Sequence, residues 1–264
     1  MIKEILKKIL TPNRRKTLRA IIYYIKSPYR YLHTWYYQVK TVFLSYSKSE
    51  ELDNSNKKVS IIVPTLSKGP QADHLFKLRK LLSVYLPNQN HKNYEVIVWC
   101  DGPNANVEEM IVSLKDERIR VYSTDNTIGK WGHPQTRMGI EKATGDFFVR
   151  MNDDNIPYRN YLSSLIGGFN NGAGIVYGRV IYKGDARTAH KEALANSFVI
   201  PGDKRGELRH MNIDCMCCMV QMDLAKKYVQ CFNDRYAADW FFIKDMLKDN
   251  IKARFIDRII GEKF

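Results

Sequence analysis

The chain of 264 residues lacks long apolar runs and is poor in cysteine. No uninterrupted apolar run reaches the roughly 18 residues that cross a bilayer, and the first residues lack the apolar stretch and cleavage site of a signal peptide. We therefore expect a cytoplasmic protein. The five cysteines are an odd number, and Cys215, Cys217 and Cys218 are too crowded to pair without strain, which favours reduced thiols. A zinc cluster is the alternative, but no second Cys or His pair stands at finger-like spacing.

Two common nucleotide-binding loops are also missing. No Gly-x-Gly-x-x-Gly follows the first predicted strand, and the chain contains no Gly-Lys-Ser/Thr sequence. These absences argue against the usual dinucleotide fold and against a P-loop. A hydrophobic content of 44% is sufficient for one substantial core, so we expect one main domain with an appendage.

The appendage carries most of the positive charge. Residues 1–58 contain 13 Lys and Arg against 4 Asp and Glu, a charge of +9, which leaves +5 of the net +14 for the other 206 residues. Apolar residues recur there at helical spacing in three short segments, with basic and aromatic residues between them. The mixture suits the headgroup zone of an anionic membrane, so we predict peripheral binding at the inner face of the cell membrane through residues 1–46.

Two other interpretations of the appendage exist. Its helices can pack on the main domain with a solvated basic face, or bind nucleic acid. No recognised nucleic-acid module follows, so we expect no nucleic-acid partner. The polar stretch 47–58 lacks apolar periodicity and predicts a linker, which gives two domains, 1–58 and 59–264.

Strand-like and helix-like segments alternate after residue 58, which predicts an α/β fold with a mostly parallel central sheet flanked by helices. Ligands of such sheets collect at the carboxyl ends of the strands. The predicted strands are Val59–Pro64, Tyr94–Cys100, Ile119–Ser123, Asp146–Met151 and Cys215–Val220, and the predicted helices are Asp73–Tyr85, Val107–Leu114, Pro134–Ala143 and one that begins near Asp239.

Acidic residues follow two of the predicted strands. Asp101 ends one strand, and Asn152, Asp153 and Asp154 follow another. Adjacent carboxylates raise each other's pKa unless a cation compensates, and Mg²⁺ or Mn²⁺ takes oxygen ligands of this kind. In an extended chain Asp153 and Asp154 face opposite sides, which predicts different roles for them. The alternative is a turn in which these side chains satisfy backbone groups.

Five stretches together resemble the inverting glycosyltransferases of family 2, which have the GT-A fold and include the spore-coat polysaccharide synthesis enzyme. Each stretch is weak alone, but their order and spacing are specific. They are residues 59–65, 94–102, 137–146, 151–157 and 238–242, that is VSIIVPT, YEVIVWCDG, RMGIEKATGD, MNDDNIP and ADWFF.

The resemblance implies a role for each matching residue. Nucleotide binding would fall on Pro64, Thr65, Asp101, Arg137 and Asp153, and Asp154 would hold Mn²⁺ or Mg²⁺. Asp239 would be the general base that takes the proton of the acceptor hydroxyl; an ordinary helix N-cap is the alternative for this residue. The sugar and acceptor pocket would include Asp214, Trp240 and His133, and the acceptor side would include Arg187, His190 and Arg205.

The sequence departs from the family pattern in three respects. Asn152 replaces the usual first acid of the metal motif, and Ala238 replaces the acid that commonly precedes the catalytic one. No histidine follows near the C-terminus to act as an extra metal ligand. Metal affinity is therefore expected to be weaker than usual.

The resemblance predicts a hexosyltransferase-type enzyme. It would move a sugar from a nucleoside diphosphate sugar, with UDP as the expected nucleotide, to a glycan or lipid-linked acceptor in surface polysaccharide synthesis. One alternative is a nucleotidyltransferase that makes nucleotide sugars, although it would carry a Gly-rich loop after the first strand. The other is a non-catalytic basic adaptor for membranes or nucleic acid, which leaves Asp101, Asp154 and Asp239 without a role.

Overall fold

The computed structural model describes residues 56–66, 71–169, 172–182, 198–201, 207–208, 210, 213–233 and 235–263. The predicted appendage, residues 1–46, and most of the linker lie outside the described residues, so the domain division stays a prediction. Arg187, His190 and Arg205 also lie outside them. None of the described helices has the length and apolarity that a membrane crossing requires.

The described ranges contain nine strands: β1 Val59–Leu66, β2 Tyr94–Asp101, β3 Ile119–Ser123, β4 Phe147–Arg150, β5 Ile156–Pro157, β6 Ile175–Tyr182, β7 Phe198–Ile200, β8 Cys218–Gln221 and β9 Ala253–Lys263. They form one sheet in the order β3-β2-β1-β4-β8-β6-β9-β5, with β7 paired to β6.

The first half of the sheet is parallel, as the sequence predicts. Strand β1 pairs in parallel with β2 and β4, and β2 pairs in parallel with β3. Every residue of β2 and β4 is buried. Strands covered on both faces need apolar side chains on both, which is why these segments are continuous apolar runs rather than alternating patterns.

The second half of the sheet is mixed. Strand β8 is antiparallel to β4 and to β6, β5 is antiparallel to β9, and only β9 is parallel to β6. The predicted strand at the cysteines is corrected here: Cys215–Cys217 forms a short 3-10 turn, and the strand begins at Cys218. The Asp214 side chain causes this, because its Oδ1 accepts the N–H of Met216 at 2.9 Å and caps the turn.

All five cysteines are free thiols, as predicted. Cys100, Cys217 and Cys218 are buried in the core, and burial raises their pKa, so they stay protonated and act as small apolar residues. Within the described ranges, no cluster of three His, Cys, Asp or Glu residues suitable for a metal ion occurs. The zinc alternative therefore gains no support.

The helices flank the sheet in two groups. Their bounds are α1 Gln71–Lys80, continued by a π-helical turn Leu81–Tyr85, α2 Ala105–Leu114, α3 His133–Lys142, α4 Tyr161–Ile166, α5 Met222–Lys227 and α6 Ala238–Lys248. Helix α1 packs on β1 and contacts α2, whereas α3 packs on β1 and β2 and contacts α5.

Helix α3 lies unusually close to the sheet at Gly139. A Cβ at this position would stand 2.5 Å from Cγ2 of Ile62, a side chain of β1 that is fully buried. Glycine therefore allows the helix to approach the strand, and this approach brings the N-terminus of α3 to the carboxyl end of β1.

Candidate active site

One large cleft opens at the carboxyl ends of the parallel strands. Its volume is about 750 Å³. It contains most of the residues predicted for the site, from strand ends that are distant in sequence: Pro64, Thr65, Asp101, His133, Asn152, Asp153, Asp154, Asp214, Asp239 and Trp240. The cleft therefore lies at the edge of the sheet where ligands of parallel sheets bind.

The Asn152–Asn155 segment is a tight turn immediately after β4. Oδ1 of Asn155 accepts the N–H of Asn152 at 2.8 Å, and the N–H of Asn155 donates to the carbonyl of Asn152 at 3.2 Å. The turn interpretation is thus correct for the two asparagines. It leaves Asp153 and Asp154 at the tip of the turn, with different surroundings.

Asp153 is buried and held by two side chains from other elements. Its Oδ2 accepts the hydroxyl of Thr65 at 2.9 Å and lies 3.3 Å from Nδ1 of His74 on α1. The sequence did not single out His74, because nothing local indicates that a helix 79 residues away from Asp153 packs beside it. Thr65 and Asp153, predicted to contact the nucleotide, are therefore direct neighbours.

Asp154 lies in an environment that disfavours its charge. Burial and the neighbouring Asp153 raise its pKa to about 6, and Lys263 and Lys77 offset only part of that. A carboxylate held in this way gains from a nearby cation. Asn152 lines the cleft beside it.

Asp101 accepts three hydrogen bonds from the protein itself. Its Oδ1 accepts the N–H of Ile128 at 2.6 Å and Nε2 of Gln135 at 2.7 Å, and its Oδ2 accepts the N–H of Gly129 at 2.8 Å. Asp101 therefore fixes the loop between β3 and α3 along the cleft.

Arg137 is the predicted residue that the structure does not bring to the cleft. It is half-buried on α3 and is absent from the cleft lining formed by the described residues. The sequence motif indicated a helix, but it did not indicate which way this position faces.

Arg150 is a cleft residue that the sequence analysis missed. It ends β4 and is almost fully buried. Its guanidinium donates to Oγ1 of Thr136 at 2.9 Å, to the carbonyl of Trp131 at 2.8 Å and to Sγ of Cys215 at 3.1 Å. Burial disfavours its charge, but Cys215, Asp239 and Asp214 more than compensate and its pKa is raised. An arginine at the end of an otherwise apolar strand is the sequence feature that could have identified Arg150 as a site residue.

Lys263, near the end of β9, is the second missed cation. Its ammonium forms an ion pair with Oδ2 of Asp214. Burial opposes both charges, yet each partner stabilises the other, so the pKa of Asp214 is lowered and that of Lys263 is raised. Arg150 and Lys263 thus place two permanent positive charges in a cleft that also contains Asp154 and Asp239.

Asp239 lies in the first turn of α6. The N-cap position is Ala237, which has the left-handed conformation (φ 61°), so the N-cap alternative for Asp239 is wrong. Oδ1 of Asp239 accepts the N–H of Trp240 at 2.9 Å. Burial and the nearby Asp214 raise its pKa, while Arg150 and Lys263 act in the opposite direction. The carboxylate is therefore a stronger base than an exposed aspartate.

His133 is the first residue of α3 and is buried. Burial and the neighbouring Arg150 lower its pKa to about 4, so the ring is neutral at physiological pH. Its Nδ1 has no hydrogen-bond partner among the described residues. His133 and Trp240 both line the cleft, as predicted.

Comparisons with known proteins identify the family and the fold. The model of glycosyl transferase family 2 matches residues 60–229. An uncharacterized glycosyltransferase of Rickettsia bellii is 31% identical over 107 residues, covering 40% of this chain and 14% of that protein. A GalNAc(5)-diNAcBac-PP-undecaprenol beta-1,3-glucosyltransferase of Campylobacter jejuni is 27% identical over 127 residues, covering 47% of this chain and 38% of that protein. The chain thus spans well under half the length of both curated relatives.

Solved structures share the fold at low identity. TarS residues 1–349 of S. aureus in complex with UDP-GlcNAc is 17% identical with a TM-score of 0.56, covering 78% of this chain and 58% of that one. A mannosyltransferase from Pyrobaculum calidifontis in complex with GDP-Man and Mn²⁺ is 14% identical with a TM-score of 0.55, covering 93% and 68%. With a family match over more than half of its length, the chain belongs to glycosyl transferase family 2.

Proposed function

We propose that the chain transfers a sugar from a nucleoside diphosphate sugar to an acceptor hydroxyl, with inversion at the anomeric carbon and Asp239 as the general base. The observation that carries this proposal is the environment of Asp239: a half-buried carboxylate with a raised pKa, in one cleft with Asp154, Arg150 and Lys263. Inversion by direct displacement needs one carboxylate to take the acceptor's proton and positive charge to receive the departing diphosphate.

The hydrogen bonds of Asp239 support its role as base. Oδ1 is fixed by the N–H of Trp240, whereas Oδ2 has no hydrogen-bond partner among the described residues. Oδ2 is therefore available to the acceptor hydroxyl. General-base assistance of this kind contributes about 10²- to 10⁴-fold in rate.

The donor would lie against the ends of β1, β2 and β4. Pro64, Thr65, Asp101 and Asp153 line this part of the cleft and are proposed to hold the nucleotide. We favour UDP as the nucleotide because the S. aureus protein with the same fold binds UDP-GlcNAc. The mannosyltransferase complex contains GDP-Man instead, so the base is a question for the binding experiment below.

The residues at the turn after β4 fit a divalent ion. Asp154 supplies one carboxylate in need of a counter-charge, and Mg²⁺ or Mn²⁺ in nucleotide sites takes only one or two carboxylates and completes its shell with water and phosphate. Mn²⁺ is present in the mannosyltransferase complex. When bound, the metal supplies positive charge to the leaving diphosphate. Arg150 and Lys263 supply fixed positive charge to the same cleft.

The proposed acceptor is a glycan or a lipid-linked glycan of surface polysaccharide synthesis. The name of the Campylobacter jejuni relative describes an undecaprenol-linked acceptor. A lipid-linked acceptor accords with peripheral binding of residues 1–46 at the inner membrane face. Deletion of these residues is expected to abolish salt-sensitive binding to anionic liposomes, and unchanged binding would contradict the membrane role.

Thermal-shift measurements with UDP- and GDP-sugars, each with and without Mn²⁺, test the donor, since a ligand that binds the folded state raises the melting temperature. The Asp239→Asn variant tests the mechanism. It is expected to keep the donor-dependent shift and to lose transfer, and transfer at the wild-type rate would remove Asp239 from the reaction. The family match does not support a nucleotidyltransferase function. A higher melting temperature with a nucleoside triphosphate, and with no nucleotide sugar, would favour that function instead.

A further inference from the structure

Two exposed aromatic side chains stand together at the cleft. Trp131 is 57% exposed and Tyr236 is 65% exposed, and both line the cleft. Their ring centroids are 5.4 Å apart and the rings are inclined by 71°, so the edge of one ring meets the face of the other. Single exposed apolar residues are ordinary, but two exposed aromatic side chains in contact inside a cleft are typical of a binding surface.

The backbone around both rings is held in an unfavourable conformation. Among the described residues, five non-glycine positions have a positive φ, and Lys130, Trp131 and Ala237 are three of them. Such conformations persist only where the surrounding structure imposes them, and they concentrate at ligand sites. Arg150 holds the carbonyl of Trp131, and Tyr236 directly precedes the N-cap of α6. Both rings are therefore displayed from fixed supports.

The position of the pair relates it to the acceptor rather than to the donor. Tyr236 lies three residues before Asp239, the proposed base, and the base must contact the acceptor hydroxyl. Thr65 and Asp153, proposed for the nucleotide, come from the other strand ends. The inclination of 71° also matters, because a planar nucleobase cannot lie parallel to both rings at once. Two inclined faces instead suit the C–H groups of a puckered pyranose ring.

We propose that Trp131 and Tyr236 form a stacking platform for the acceptor, on which its terminal pyranose ring lies with one hydroxyl directed at Asp239. The proposal rests on the proposed function. The platform would set acceptor specificity through ring shape, while Asp239 performs the proton transfer.

The test measures binding of methyl glycosides of glucose, galactose, mannose and N-acetylglucosamine by saturation-transfer NMR, with UDP present. Wild-type protein is expected to bind at least one glycoside, and Trp131→Ala and Tyr236→Ala are each expected to weaken its binding by about tenfold. Tyr236→Phe keeps the ring and is expected to retain most of the binding. Phe76→Ala is the matched control, since Phe76 is 60% exposed on α1 but does not line the cleft.

Several results would overturn the platform. These are no glycoside bound by wild type, unchanged glycoside binding in both alanine variants, and equal weakening by Phe76→Ala. A weakened thermal shift with UDP in Trp131→Ala, with glycoside binding retained, would assign the ring to the nucleobase instead. The proposed function is judged separately: it fails if wild type shows no shift with any nucleotide sugar, whereas the platform alone fails if that shift is intact and the glycoside results are negative.

Discussion

Asp154 lowers the stability of the folded chain, and a single substitution should recover that stability. Its pKa is about 6 in the folded protein against an ordinary 3.8, because of burial and the adjacent Asp153. As the pH rises, the carboxyl ionises first in the unfolded chain, so the unfolded state is favoured. The loss begins near pH 4, grows up to about pH 6 and is constant above it. At 1.36 kcal/mol per unit, the full loss is about 3 kcal/mol, as an upper bound.

Asp154→Asn has nearly the same shape and no charge. Its free energy of unfolding is expected to exceed that of wild type by up to about 3 kcal/mol at pH 8 and by about half as much at pH 5. Urea denaturation at the two pH values measures this difference. Asp125→Asn is the control, because Asp125 is exposed in the loop after β3, and it should leave the stability nearly unchanged.

Two results would refute this account of Asp154. One is an Asn variant no more stable than wild type at pH 8, and the other is a gain that is equal at pH 5 and pH 8. Metal binding gives a linked test. If Asp154 holds the ion, Mn²⁺ should stabilise wild type with its donor nucleotide and have little effect on Asp154→Asn; equal stabilisation of both would exclude Asp154 as a ligand.

Three further predictions concern packing, the buried ion pair and pH. Gly139→Ala should destabilise the protein by about 1–3 kcal/mol in urea denaturation, because the new methyl group meets Ile62. Alanine is the better helix former, so a stabilised variant would contradict the close approach of helix and strand. Lys263→Met leaves the Asp214 carboxylate buried without its partner and should lower the free energy of unfolding by about 3–5 kcal/mol, and Lys263→Arg should retain most of the stability. A Met variant as stable as wild type would show that the ion pair does not stabilise the fold. The rate of transfer should rise as the pH increases through the pKa of Asp239, which is raised above the usual aspartate value. A rate that is independent of pH between 4 and 7 would argue against Asp239 as the base.

The parallel half of the fold could be read from local pattern. Strands β1 and β2 are apolar runs of the length of a strand, and the prediction of β3 matches at both ends. Helix α1 was predicted as one regular helix to Tyr85, but its last turn is π-helical, which depends on packing rather than on composition. The antiparallel half was not predicted, since pairing of β8 with β4 and β6 joins segments far apart in sequence.

The site divides in the same way. Thr65, Asp101, Asp153 and Asp154 could be placed from sequence, because a carboxylate or hydroxyl at or just after the end of a buried strand lies at the sheet edge where the other strands end. Asp239 was identified by resemblance, and its raised pKa is a property of the assembled cleft.

Tertiary structure alone decided which polar side chains contact one another. His74 reaches Asp153, Lys263 reaches Asp214, and Arg150 reaches Cys215 across separations of 79, 49 and 65 residues. Tertiary structure also left Arg137 out of the cleft lining and placed Trp131 beside Tyr236. Local sequence determines the period of a strand or helix and the residues at its ends, because those depend on neighbours along the chain. The electrostatics of the cleft depend on neighbours in space, which only the packed sheet brings together.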